Sequence, residues 1–67
     1  MNQHAKNTIN DCFVDFFDDR PDEKQIMLIM SLLPEEVILL ASQWGWKDTE
    51  VRGKVWRWLE QNKDSLL

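Results

Sequence analysis

This chain of 67 residues holds one cysteine, one histidine, two glycines and two prolines. Each scarcity excludes something. A single Cys12 cannot close an intrachain disulfide, and no zinc site can be built from cysteines. A lone thiol fits a reducing compartment, so a cytoplasmic protein is expected. His4 is the only candidate imidazole, near the start of the chain, and no Ser-His-Asp or Cys-His arrangement has evident partners. Cys12 falls on an apolar helical stripe, whereas reactive thiols need an exposed, electropositive setting. No glycine-rich phosphate loop occurs. The expectation is a protein without catalytic residues, cofactor or metal.

Long hydrophobic runs are also missing. The apolar run 26–30 is far too short to cross a bilayer. Residues 1–6 lack the apolar centre of a signal peptide. A soluble chain with no membrane partner is therefore expected.

What is present is a composition of 43% hydrophobic and 30% charged residues, which suits a folded helical domain and not a disordered tail. A chain this short buries only roughly 60% of its unfolded surface, so one domain of marginal stability is the limit. The net charge is −4, unevenly spread. Residues 1–36 carry three basic and eight acidic side chains, a net of −5; residues 47–63 carry five basic and three acidic, a net of +2. The front is acidic and the back mildly basic.

Four apolar-periodic segments follow one another. Ile9, Cys12, Phe13, Phe16 and Phe17 fall on one stripe of a first helix, predicted over 8–19 with Thr8 as its N-cap and Arg20-Pro21 as its end. Asp11, Asp15 and Asp18 lie on its other side. A second helix over 21–33 starts with Pro21, Asp22 and Glu23 and presents Ile26, Ile29, Met30 and Leu33. A third over 35–44 follows Pro34, with Val37, Leu40, Ala41 and Trp44 as its stripe and Gly45 as its stop. A fourth over 49–62, capped by Asp48 or Thr49, carries Val51, Val55, Trp58 and Leu59, and the tail beyond is expected to fray. No segment alternates with period two and no hairpin signal occurs, so the fold class is all-α, a compact bundle of about four short helices.

Three features exceed what a small core needs. The acidic set Asp11, Asp15, Asp18, Asp19, Asp22 and Glu23 lacks the spacing of a calcium loop and reads first as a solvated face, then as a docking surface for a basic partner. Carboxylates at i and i+4 repel mildly on a helix, which hints at a use for them. All four tryptophans fall between positions 44 and 58. Trp44 and Trp58 fit the core; Trp56 lies off the stripe beside Arg52 and Arg57, types enriched at binding hot spots. Met27, Leu28, Leu32, Ile38 and Leu39 lie outside the main stripes, too many for one small interior to hide. They are the candidate self-association surface of a homodimer.

Residues 40–59 resemble the helix-turn-helix of bacterial regulators. Ala41 stands at the small position of the first helix, Gly45 turns the chain four residues later, Trp46 plugs the corner, Val51 follows five residues on, and Asp48-Thr49 has the cap chemistry of the second helix. Trp46 is bulkier than the usual aliphatic residue. Lys54 stands where the motif often has an apolar side chain, so Val55 must take over the packing. The resemblance implies that the fourth helix is a recognition helix in double-stranded DNA. Thr49, Arg52, Gly53, Trp56 and Arg57 would face the groove, while Lys47, Lys54 and Lys63 neutralise phosphates.

Two functions are therefore expected in competition. One is a small transcription regulator of helix-turn-helix type. The alternative is an adaptor or inhibitor of the kind phages and mobile elements encode, binding another protein through the same Trp/Arg surface or the acidic first helix. The acidic pI of 4.7 and the thin basic patch favour the alternative; the motif from Ala41 to Val51 favours the regulator, which is the first expectation.

Overall fold

The computed structural model describes residues 3–66. Four helices run α1 Gln3–Phe17, α2 Glu23–Leu32, α3 Glu35–Trp44 and α4 Thr49–Leu66, with no strand among the described residues. The Cα radius of gyration is 10.7 Å, close to the roughly 11 Å of a compact chain of this length. The two terminal helices pack together: α1 lies on α4 and also on α2, and α3 packs against α4.

The apolar stripes supply the core. Ile9, Cys12 and Phe13 from α1, Ile26 and Ile29 from α2, and Val37 and Ala41 from α3 are buried. They surround Val51, Val55 and Leu59 of α4, each wholly inaccessible. Phe16 and Phe17 close one end: Phe17 lies 4.4 Å from Phe13, and Phe16 meets Trp56 edge-on at 5.1 Å. Trp58 is half-buried against the core.

Several helix ends differ from the sequence expectation. The first helix begins at Gln3, so Thr8 is no N-cap; it sits mid-helix, buried, beside an equally buried Ala5. Its hydroxyl donates instead to the Trp46 carbonyl at 2.7 Å. The same helix ends at Phe17, before Pro21, because Asp18 takes a left-handed conformation (φ 56°) and its N–H closes on the Val14 carbonyl. Aspartate tolerates that conformation better than most residues. The fourth helix runs on to Leu66, which packs against the core, so residues 63–66 continue the helix where fraying was expected.

The second helix begins at Glu23 and not Pro21. Asp22 caps it with a reciprocal pair of bonds: its carboxylate accepts from the Gln25 N–H at 2.8 Å, and the Gln25 side chain accepts from the Asp22 N–H at 2.9 Å. The Lys6 ammonium meets the Glu23 carboxylate at 2.6 Å and ties α1 to this cap. At the start of α4 the Asp48 carboxylate accepts from the Glu50 N–H at 3.1 Å.

Two side chains lie elsewhere than their stripes imply. Trp44 is 66% exposed, not part of the core. Gly45 turns the chain directly after it (φ 92°, ψ 152°), and Trp46 takes the corner that a single indole can fill, at 8% exposure. Ile38 is half-buried against the core, whereas Met27, Leu28, Leu32 and Leu39 remain 47–56% exposed. Of the five candidate self-association residues, Ile38 is thus partly covered by the core and the other four are exposed.

No single helix among the described residues is long and apolar enough to cross a membrane. The consecutive α2 and α3 are bent by 99° at their junction.

Candidate functional site

The longest helix, α4, also carries more basic side chains than any other, four of the eight. Its buried line of Val51, Val55 and Leu59 fixes which way the other residues face. Thr49, Gly53, Arg57 and Lys63 are exposed; Arg52, Lys54 and Trp56 are half-buried. Lys47, in the preceding turn, is exposed.

The structure divides these residues among separate places. Arg52, Gly53 and Trp56 line a recess with Asp11, Cys12 and Asp15 of α1. The Arg52 guanidinium donates to the Asp11 carboxylate at 3.4 Å, and the Cys12 thiol lies 3.5 Å from the Arg52 carbonyl, which accepts from it. Farther round the helix, Lys54 and Arg57 share shallow depressions with Glu50 and Glu36. Lys47 borders a different groove, described below. Lys63 lines none of these hollows.

Carboxylates thus lie among the basic side chains of this face. Arg52 has a carboxylate beside it, and so do Lys54 and Arg57. The Asp11–Arg52 pair is half or more exposed on the acid side, so its contribution to stability is small. The recess therefore presents both signs of charge together.

Burial pushes the Cys12 thiol above its ordinary value of 9.0; the Arg52 charge works against that rise, and Asp11 and Asp15 add to it. A protonated thiol in a half-closed setting is a poor nucleophile. Among the described residues no three His, Cys, Asp or Glu side chains come together as a metal-binding group.

Gly53 stands in the middle of this surface. A Cβ added there would meet nothing within 4 Å. The fold gains nothing from the missing side chain, and a mid-helix glycine costs about 1 kcal/mol relative to alanine.

A second hollow, of about 540 Å³, lies at the corner between α3 and α4. Met30, Ile38, Ala41 and Trp46 give it an apolar lining, with His4 and Lys47 at its border. Sequence spacing offered no sign of it, since its walls come from all of α1, α2, α3 and the turn. Nor did it show that α1 lays Asp11 and Asp15 beside Arg52, because those residues are about 40 positions apart.

Comparison with known proteins finds no matching family model, no similar curated protein and no similar solved structure.

Proposed function

We propose that this protein is a non-enzymatic protein-binding module, an adaptor or inhibitor, that docks through the face shared by α1 and α4. One observation carries the reading: Asp11 and Asp15 line the same recess as Arg52, Gly53 and Trp56. A phosphate backbone approaching Arg52 would meet two carboxylates, whereas a protein surface can offer both signs of charge at once. Trp56 and Arg52 supply the residue types that dominate protein interfaces, and the open space over Gly53 admits a partner's side chain or backbone. The free, buried thiol suits a cytoplasmic setting.

The test is a pull-down from the source cell, with and without nuclease, comparing the wild type with Gly53→Gln. Glutamine favours the helix over glycine, so the variant should melt higher while filling the recess. A partner that survives nuclease and is lost with Gly53→Gln supports the reading. A partner removed by nuclease defeats it.

A DNA-binding regulator is the second reading, favoured by one specific arrangement. Ala41, Trp46 and Val51 are buried and Gly45 has positive φ, as the helix-turn-helix resemblance implies. The half-exposed Lys54 and the buried Val55 also match the exchange of packing roles expected at those positions. In that case α4 would enter the groove with Thr49, Arg52, Gly53, Trp56 and Arg57, and Lys47, Lys54 and Lys63 would meet phosphates.

A further inference from the structure

We propose that the groove at the α3–α4 corner receives the Trp44 indole of a second copy of this chain, so that two copies join by exchanging Trp44 reciprocally. Trp44 is the most exposed large apolar side chain, at 66%. It precedes Gly45, which itself lines the groove. A two-fold interface requires donor and acceptor close together on one copy, and Trp44 stands one residue from the groove's own Gly45. The groove is mostly apolar, with a volume of about 540 Å³. An indole is the largest apolar group the chain has to offer, and a buried aromatic side chain removes about 150–250 Å² from water.

The charge pattern selects a second copy over other occupants. No charged residue occurs between Lys24 and Glu35, nor between Glu36 and Lys47, in a chain that is 30% charged. Two copies each carrying −4 repel wherever their charged faces meet. They approach at least cost through these two uncharged stretches. A basic protein would find no countercharge in them, and a nucleic acid only Lys47 at the border of the groove. Leu28, Leu32 and Leu39 are also exposed on the same two helices, α2 and α3. A standard interface takes about 800 Å² per partner, a modest part of the 4650 Å² that the chain exposes. Such a pairing is separate from the α1–α4 face and leaves two docking faces per dimer.

Analytical ultracentrifugation of the full chain over a wide concentration range tests this, with two variants. Trp44→Ala removes the donor at an exposed site. Ser42→Phe fills the acceptor from an exposed position whose hydroxyl bonds only within its own helix, to the Leu39 carbonyl. The wild type should form dimers, and each variant should weaken dimerisation at least tenfold with its helical circular dichroism unchanged. Mixing the two variants should restore association above that of either alone, because one Trp44 then meets one open groove. A wild type that stays monomeric overturns the proposal, as does a dimer that either change leaves intact or a mixture that gains nothing.

Discussion

The Thr8 hydroxyl donates a 2.7 Å hydrogen bond to the Trp46 carbonyl, joining the middle of α1 to the turn between α3 and α4 across 38 positions of sequence. Thr8 is 1% exposed and Trp46 8%, so water cannot replace either partner. The bond holds the corner on which the start of α4 depends.

Thr8→Val keeps the shape of the side chain and removes the donor. The Trp46 carbonyl then loses a buried partner, which costs about 1–3 kcal/mol. Urea unfolding should show the midpoint falling with an unchanged slope. A midpoint equal to the wild type would mean that the bond is not a structural tie.

The two glycines should respond to alanine with opposite signs. Gly45 has φ 92° and ψ 152°, backbone essentially restricted to glycine, so Gly45→Ala should destabilise by about 1–3 kcal/mol. Gly53 is helical, and Gly53→Ala should stabilise by about 1 kcal/mol. At neither position would a Cβ touch anything within 4 Å, so both effects come from the backbone alone. Thermal melts should place the two variants on either side of the wild type.

Cys12 should be slow to react with a thiol reagent in the native protein and quick in denaturant. Its folded-state value is raised above 9.0 chiefly by burial. The folded state therefore holds this proton more tightly than the unfolded one. The associated stability is intact below pH 9.0 and is lost as pH rises from there through the folded value. Between pH 8 and pH 10 the wild type should lose more stability than Cys12→Ala, which starts lower because its core is less full. Equal losses would show that the thiol plays no part.

Neutralising α1 separates the two functions. Asp11→Asn with Asp15→Asn should change stability by about 1 kcal/mol or less, since the Asp11 ion pair is exposed. If the partner is a protein that uses this face, its binding should weaken. If the partner is DNA, removing two negative charges from the recess should tighten binding and steepen its dependence on salt. Titrations of the double variant against the captured protein and against duplex DNA decide between them.

The parts of this fold that were legible from sequence are those set by local repetition. The spacing of Ile9, Cys12 and Phe13, or of Val51, Val55 and Leu59, marks buried helix faces because 3.6 residues make a turn. The third helix was placed at its observed bounds, between a proline and a glycine. Thr8 misled because hydroxyls favour helix starts, while its real partner is supplied from the far side of the chain. Trp44 misled because stripe position says nothing about competition between neighbours; Trp46 occupies the corner instead. In the candidate site, the exposure of Gly53 and Arg57 followed from the α4 stripe. The carboxylates beside Arg52 did not, since only the packing of α1 on α4 brings them there.

The packing of α1 against α4 also sets a condition on synthesis. Cys12 and the Arg52 carbonyl that accepts its thiol are 40 positions apart. At about 5–20 residues per second, a ribosome needs roughly 2–8 s to add that much chain. During that interval Ala5, Ile9 and Cys12 have left the ribosome's catalytic centre without the helix that will cover them. The nascent chain therefore carries its first apolar stripe uncovered until α4 has been made. Ribosome-associated chaperones would find their binding surface on that stripe, and stop codons placed before Val55 should send the product to proteases.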